Sequence, residues 1–169
     1  MCNKIIKIES ALTPFENVIM LDYFKKNKFN QWFDGNYKTF EHTKLPLKKI
    51  INKINEYVDL SNMVGIECWS HINTHPGWHI DSDDVLKSKT GEIKTPICSI
   101  VYYAKIENLI GGNLVTETEI YTPKTNDLIT FPKGLLHMVE PFTGERIIIA
   151  INPWAVSYTH LTLPTILRV

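Results

Sequence analysis

Residues 126–151 read NDLITFPKGLLHMVEPFTGERIIIAI, and this stretch decides the fold class. It contains three short apolar runs, Asp127–Phe131, His137–Phe142 and Arg146–Ile151. The turn-forming residues Pro132 and Gly134 separate the first two runs, and Gly144 lies just before the third. Short apolar runs at this spacing, with turn signals between them, predict the strands of a sandwich or barrel.

The same pattern extends toward the N-terminus as far as residue 64. Further predicted strands are Gly65–Ile72, Pro96–Ile106 and Asn113–Glu119, with turn signals at Pro76-Gly77 and Gly111-Gly112. Several strands at this spacing favour a sandwich or barrel over alternating βαβ units. The predicted fold class is therefore mainly β.

The N-terminal part of the chain mixes strand and helix signals. Lys4–Ile8 predicts a short strand, and Pro14 favours the start of a helix that continues to Lys26. A second helix is predicted from Pro46 to Tyr57. We expect both helices to pack on the outside of one sheet. The residues predicted to be buried are Phe15, Val18, Ile19 and Tyr23 in the first helix, and Leu47, Ile50, Ile51, Ile54 and Tyr57 in the second.

Composition fits one soluble globular domain. The chain has 169 residues, of which 44% are apolar and 21% are charged. We expect residues 1–62 to support a core at residues 63–155 within that domain. Because 18 Lys and Arg balance 18 Asp and Glu, no basic surface is expected for nucleic acid or anionic lipid. The sequence carries no signal for an oligomeric state.

The expected compartment is the cytoplasm. No apolar run approaches the length that spans a bilayer, and the first residues lack the apolar region of a signal peptide. Cys2, Cys68 and Cys98 are odd in number and far apart, which predicts neither a disulfide framework nor a thiolate zinc site.

Residues 156–169 are expected to be foreign to the natural protein. One reading frame of a common transposon-based sequencing adapter encodes Val156–Thr165, so the segment is interpreted as a translated adapter scar. On this interpretation His160 is no candidate ligand. The alternative is a genuine apolar C-terminal strand.

The candidate chemistry depends on four polar residues on predicted strands. His79 and Asp81 are two residues apart in an extended segment, so their side chains point to the same side. Together with His137, they form a set of two imidazoles and one carboxylate that suits non-haem Fe(II) and leaves positions open for O₂ and an organic cosubstrate. Arg146 lies on the following strand, and an arginine inside an apolar barrel requires a buried anion such as a carboxylate.

Each of these residues also has an ordinary structural interpretation. An H-x-D pair often occurs by chance, His137 would serve as a hydrogen-bonded core histidine, and Arg146 would form a salt bridge at the rim. His75 and His79 are spaced for zinc binding on a helix, but Pro76-Gly77 between them would break that helix. His71 and His75 are expected to line a cleft or to lie on the surface.

The back half, about residues 64–152, resembles the iron(II)/2-oxoglutarate-dependent oxygenases, in particular prolyl hydroxylases and their phage and bacterial relatives. The segment from His79 to Asp81 resembles the proximal H-x-D motif of that superfamily. Tyr102-Tyr103 followed by Gly111-Gly112 resembles a strand and glycine turn of the prolyl hydroxylases. Residues 126–141 resemble the segment of the distal histidine, and residues 144–148 resemble the strand that carries the cosubstrate arginine.

This resemblance implies a double-stranded β-helix, which is a jelly-roll-like barrel, with flanking N-terminal helices. It assigns His79, Asp81 and His137 as Fe(II) ligands. It also assigns Arg146 to the distal carboxylate of 2-oxoglutarate and Tyr103 as a second donor to that carboxylate. Many relatives have a serine at the position of Ile148, so the tyrosine takes a larger part here or the cosubstrate is held more loosely.

The implied reaction is hydroxylation of an unactivated C–H bond, with O₂ consumed and succinate and CO₂ released. Ascorbate is a further candidate cofactor. Related halogenases replace the carboxylate ligand with a small residue, and the presence of Asp81 therefore favours hydroxylation. The substrate classes are a protein side chain such as a prolyl residue, a free amino acid, or a small metabolite.

Two further expectations concern the surroundings of the site. Residues 81–95 lie where a substrate lid would close, although a charged, solvated loop is the default interpretation. Trp78, Ile100 and Phe131 are candidate site walls or ordinary core residues. The alternative functions are a non-oxidising, cupin-like binding barrel, which usually needs an H-x-H pair that is missing here, or an inactive phage structural module.

Overall fold

The computed structural model describes residues 4–27, 31–34 and 45–155. In chain order, its elements are β1 (Ile6–Ile8), α1 (Pro14–Lys26), β2 (Gln31–Asp34), α2 (Leu47–Asn55), β3 (Gly65–Ile72), α3 (Asp84–Thr90), β4 (Cys98–Gly111), β5 (Leu114–Thr116), β6 (Ile120–Tyr121), β7 (Leu128–Pro132), β8 (His137–Val139) and β9 (Phe142–Trp154). The predicted tail at 156–169, with His160, and Cys2 lie outside the described residues.

The strands form two antiparallel sheets. The major sheet has six strands in the order β1-β7-β4-β9-β3-β2, and the minor sheet has three in the order β6-β5-β8. An isolated antiparallel bridge pairs His79 with His137 next to the minor sheet. The prediction of a mainly β fold is confirmed.

The central strand β9 separates two packing environments. Ile147, Ile149 and Ile151 belong to the apolar cluster that also contains the buried residues of α1 and α2. Ile148 and Ala150 belong to a second cluster, which joins the major sheet to Leu114 of the minor sheet. We call these two sides of the major sheet the helix face and the inner face, and alternate residues of β9 point to each.

The helix α1 begins and ends where the sequence predicts, but its predicted buried face is only partly right: Ile19 and Tyr23 are partly buried and pack against the core, whereas the other two residues do not. Phe15 is 75% exposed and Val18 is 53% exposed, whereas Met20 and Phe24 are fully buried. Apolar residues occur all around this helix, so their spacing alone does not select a face. A capping box between Thr13 and Glu16 fixes the start of the helix.

The helix α2 carries a true apolar stripe. Leu47, Ile50, Ile51 and Ile54 are buried as predicted. The helix ends at Asn55, and Tyr57 beyond it is 51% exposed, contrary to the prediction.

Strands β4 and β9 are longer than predicted, and they pair along most of their length with register shifts. Tyr103 lies opposite Ile148, whereas Lys105 lies opposite Ile147, so one extra residue of β4 is accommodated at this point. This bulge allows both Tyr103 and Ile106 to pack on the inner face.

Three short elements were not predicted: β2, β6 and α3. Residues 84–90 form a helix rather than the expected solvated loop. The carboxylate of Asp83 accepts a hydrogen bond from Leu86 N at 2.8 Å, and Gly91 ends the helix in the left-handed conformation with φ of 76°. Within the part of the chain described, no helix has both the length and the apolar character needed to cross a bilayer.

Candidate functional site

His79 and His137 are held side by side by their backbones. The amide of each residue donates to the carbonyl of the other at 2.9 Å. In this hydrogen-bonded antiparallel pair both side chains point to the same side, and their ring centroids lie 4.2 Å apart. The position of the two rings is therefore set by peptide hydrogen bonds.

Asp81 completes a compact set of three polar groups. Its Oδ1 lies 3.8 Å from Nε2 of His79 and 4.0 Å from Nε2 of His137. One atom from each of the three residues falls within 4.8 Å of the other two. Ligand atoms about 2.1 Å from one metal and on one face of an octahedron lie about 3 Å apart, so small side-chain rotations would bring these three groups around a shared cation.

The outer nitrogen of each imidazole has a fixed partner. Nδ1 of His79 lies 2.7 Å from the carbonyl oxygen of Gly77, and Nδ1 of His137 lies 2.9 Å from that of Leu135. When Nδ1–H donates to a carbonyl, Nε2 presents its lone pair toward Asp81, which is the arrangement of metal-binding histidines. Burial lowers the pKa of His137, which favours the neutral form that binds metal.

Arg146 lies on the inner face of β9 and is 2% exposed. Its guanidinium carbon lies 5.5 Å from the ring centroid of Tyr103, and its Nε makes no hydrogen bond. Among the described residues, no carboxylate forms an ion pair with it. A buried cation without a counter-ion is strongly unfavourable, so the geometry calls for an anionic ligand at this position.

Tyr103 provides a second donor beside Arg146. Its hydroxyl is buried and has no partner of good hydrogen-bond geometry. Burial raises the pKa of Tyr103 to about 12 against the opposing effect of the nearby Arg146 guanidinium, so the hydroxyl keeps its proton. The neighbouring Tyr121 differs, because its hydroxyl donates to the carboxylate of Asp127. Of these two tyrosines, Tyr103 is therefore the one with an unbonded hydroxyl, and its ring lies near Arg146 although it is not among the residues that line the cavity.

The three metal-binding candidates and Arg146 open into one cavity. This cavity has a volume of about 50 Å³ and includes apolar walls from both sheets. A larger cleft of about 350 Å³ adjoins it, and the two share the lining residues Trp69, His71, Pro76, His79 and Asp81. The apolar residues that line the small cavity are Val101, Leu114, Val139, Ile148 and Ala150.

His71 lines both cavities, as the sequence predicts for a cleft histidine. Its Nε2 accepts a hydrogen bond from Trp69 Nε1 at 2.9 Å, and its Nδ1 lies 3.0 Å from Thr74 Oγ1. Burial lowers the pKa of His71, and the charge of Arg146 lowers it further. His71 is thus a neutral wall residue with both nitrogens bonded. His75 is exposed at the surface, as predicted.

The three residues predicted as candidate site walls lie in different environments. Ile100 belongs to the core on the helix face, whereas the ring of Phe131 packs 4.7 Å from that of His137. Trp78 is 52% exposed and lines neither cavity. The N-terminal end of α3 does reach the larger cleft, where Asp84 and Val85 contribute to the lining.

Sequence reasoning missed Glu67, Trp69 and Asn152, which line the larger cleft. Asn152 lies opposite Glu67 in the pairing of β3 with β9, and Trp69 lies opposite Ala150. The available signal was alternation: Asn152 is an even number of residues beyond Arg146 on the same strand and so shares its face.

Comparisons with known proteins establish the fold. No protein-family model and no curated protein matches the chain. Among solved structures, a prolyl 4-hydroxylase from Pseudomonas putida matches with a TM-score of 0.62 and 16% identity over 89% of this chain and 84% of that chain.

Two further structures give the same result. The viral collagen prolyl hydroxylase of Paramecium bursaria chlorella virus 1, in complex with 2-oxoglutarate, has a TM-score of 0.59 and 20% identity, covering 91% of this chain and 97% of that chain. A prolyl hydroxylase from Trichoplax adhaerens, in complex with a hypoxia-inducible-factor peptide, has a TM-score of 0.58 and 15% identity, covering 90% and 84%. The chain therefore has the fold of the prolyl-hydroxylase-like 2-oxoglutarate oxygenases, the double-stranded β-helix.

Proposed function

We propose that the protein is an Fe(II)- and 2-oxoglutarate-dependent oxygenase that hydroxylates an unactivated C–H bond. Its substrate is a protein side chain such as a prolyl residue, a free amino acid or a small metabolite. The observation that carries the proposal is the shared cavity: a buried arginine with no carboxylate partner among the described residues opens beside two imidazoles and a carboxylate. This combination suits a metal and a dicarboxylate that must lie side by side.

His79, Asp81 and His137 would hold Fe(II). The donor set is that of non-haem iron sites, and its two Nε2 atoms already face the carboxylate. When bound, iron with 2-oxoglutarate and O₂ supplies the oxidising power, releasing succinate and CO₂. The carboxylate of Asp81 supports hydroxylation over halogenation.

Arg146 and Tyr103 would hold the distal carboxylate of 2-oxoglutarate. A guanidinium binds a carboxylate through two parallel hydrogen bonds, and the protonated hydroxyl of Tyr103 adds a third donor. Ile148 occupies the position where many relatives carry a serine, and it is 3% exposed on the same inner face. An isoleucine has no donor, so the tyrosine takes the larger part.

The walls keep the reacting groups dry and oriented. Val101, Leu114, Val139 and Ala150 surround the small cavity with hydrocarbon, which strengthens each charge interaction inside it. The Asn73 side chain accepts a hydrogen bond from Arg146 N at 2.9 Å, and Asn73 N donates to the Arg146 carbonyl at 2.9 Å. These contacts fix the point on β9 from which the guanidinium extends.

The test measures both cosubstrate binding and turnover. Under anaerobic conditions, we expect Fe(II) plus 2-oxoglutarate to give the weak charge-transfer absorption of a metal chelate in the visible region. In air, with and without ascorbate, we expect succinate release, which His79→Ala and Asp81→Ala should abolish. His75→Ala is the matched control, because this histidine is exposed and lies outside both cavities.

Metal binding without the absorption band and without succinate would refute the proposal. That outcome would leave the alternative of a binding barrel that does not oxidise. Retained succinate release in His79→Ala would instead refute the assignment of the metal ligands. A substrate screen by mass spectrometry, seeking products heavier by one oxygen atom, identifies the reaction partner.

A further inference from the structure

The residues that line the larger cleft include a buried asparagine whose side-chain oxygen has no hydrogen-bond partner. Asn152 is 2% exposed and lines this cleft, and its Oδ1 makes no hydrogen bond. A buried acceptor without a donor costs free energy comparable to a lost hydrogen bond. Such an atom in a cleft wall marks a place where a ligand supplies the donor.

The position of Asn152 along β9 separates it from the cosubstrate end of the site. The inner-face residues of β9 are, in order, Arg146, Ile148, Ala150 and Asn152, so two polar side chains flank two apolar ones. Six residues of a strand span roughly 20 Å. The 2-oxoglutarate site proposed above uses the Arg146 end, and the Asn152 end is left for the molecule that is oxidised.

The charged residues of the cleft indicate the kind of donor. Apart from Asp81, which is assigned to the metal, carboxylates from Glu67 and Asp84 line it, and Glu67 lies directly opposite Asn152 in the strand pairing. Among the described residues that line this cleft, none is Lys or Arg. A negative lining disfavours an anionic substrate and favours a cationic one.

We propose that the substrate carries an ammonium group, and that Oδ1 of Asn152 accepts a hydrogen bond from its N–H in the larger cleft. The inference rests on the proposed function, since it concerns the substrate of that same site. It narrows the substrate classes to amines, free amino acids and side chains with a terminal amine. An internal prolyl residue has no N–H on its ring and does not satisfy Asn152 through the residue that is oxidised.

The test uses two cations of equal charge and chain length. Butylammonium has N–H donors, and butyltrimethylammonium has none. Titration of each into the metal-free protein, followed by ligand-observed NMR, gives the two dissociation constants. We expect butylammonium to bind at least tenfold more tightly, because only this cation makes the charge-assisted hydrogen bond to Asn152.

Two variants assign the effect to Asn152. Asn152→Leu removes the acceptor and should weaken butylammonium binding about tenfold, while binding of butyltrimethylammonium stays within twofold. Asn152→Asp keeps an acceptor and should retain butylammonium binding, so it serves as the folded reference if the leucine variant is unstable. A thermal melt of each variant verifies folding.

The inference is overturned if butylammonium does not bind, if both cations bind equally, or if Asn152→Leu leaves butylammonium binding unchanged. Failure of the proposed function gives a different result. If butylammonium binding depends on Asn152 but no 2-oxoglutarate binding or succinate release is found, the proposed function fails and the amine site stands. If succinate is released but the two cations bind with equal affinity, the proposed oxygenase function is retained and the proposed amine site is refuted.

Discussion

The two faces of β9 show how one strand serves stability and chemistry separately. On the helix face, Ile147, Ile149 and Ile151 are almost completely buried in a largely apolar cluster. On the inner face, Arg146 and Asn152 are equally buried, yet Arg146 Nε and Asn152 Oδ1 make no hydrogen bond. The first face contributes hydrophobic free energy, and the second retains polar groups whose burial is unfavourable until a ligand arrives.

The largest expected effect is on the helix face. Ile149→Ala should lower the free energy of unfolding by about 3 kcal/mol, because it leaves a cavity in a close-packed core. Urea denaturation measures this loss, and the affinity for 2-oxoglutarate of the folded fraction should not change.

Ile148→Ala is the matched substitution on the inner face. Ile148 already borders a cavity of about 50 Å³, so fewer contacts are lost and the destabilisation should be smaller. Equal losses in Ile148→Ala and Ile149→Ala would contradict the distinction between the two faces.

Substitution of Arg146 should weaken ligand binding without lowering stability, which is the reverse of the result expected for Ile149. Arg146→Leu should weaken 2-oxoglutarate binding about 100-fold, equivalent to about 2.7 kcal/mol, because a bidentate charge-assisted pair is lost. The unfolding free energy should not fall, since a buried charge without a counter-ion is replaced by hydrocarbon.

Calorimetry with Mn(II) in place of iron measures this affinity without turnover. Lys133→Leu, a substitution of an exposed cation, is the control. Unchanged cosubstrate affinity in Arg146→Leu would remove the role proposed for this guanidinium.

The adjacent tyrosines of β4 provide a finer comparison. Tyr103→Phe should weaken 2-oxoglutarate binding about fivefold, equivalent to about 1 kcal/mol, and should not lower stability because its hydroxyl has no partner. Tyr102→Phe should do the opposite. The Tyr102 hydroxyl donates to Asn17 at 2.6 Å and lies 2.9 Å from Oδ1 of Asn126, so its removal should cost about 1 kcal/mol of stability and leave 2-oxoglutarate affinity unchanged.

The same two assays, calorimetry and urea denaturation, cover both tyrosine variants. A stability loss in Tyr103→Phe would show that its hydroxyl has a structural partner. A loss of cosubstrate affinity in Tyr102→Phe would show that the two faces are coupled.

The smallest expected effect is the chemical modification of a cysteine in the unsubstituted protein. Cys68 lies on the helix face, and burial raises the pKa of its thiol well above the ordinary value. The fraction of thiolate in the native protein is therefore very small, and iodoacetamide should modify Cys68 only after denaturation. Peptide mapping by mass spectrometry measures the modification; rapid labelling of Cys68 under native conditions would show that this face opens readily.

The extent to which sequence predicted the fold depended on how distinctive each local pattern was. The start of α1 follows from Pro14, but only half of its predicted buried face was right, because apolar residues surround the helix. The helix α3 was missed because its residues are mostly polar, although Asp83 and Gly91 are ordinary cap signals. The short strands β2 and β6 lack the length that makes alternation visible.

The residues of the candidate site were likewise found or missed according to how distinctive they are in the sequence. Four polar residues were found because their chemical types are distinctive at their spacings in the sequence. The structure brings all four to one cavity: His79, Asp81, His137 and Arg146. Asn152 was not found, because an asparagine near the end of a strand is unremarkable in a sequence. Its interest arises from the register that places it in the cleft and from its missing donor, and both are properties of the folded chain.

The reciprocal backbone pairing of His79 and His137 has a consequence for altering the metal preference of the proposed site. Since peptide groups set the separation of these two positions, exchanging one imidazole for another ligand type would preserve the anchoring points of the remaining donors. His79→Cys, for example, would present a sulfur ligand from the same backbone position. A thiolate suits zinc better than it suits metals that prefer oxygen ligands. The metal preference of the proposed site is therefore open to redesign by exchange of single side chains.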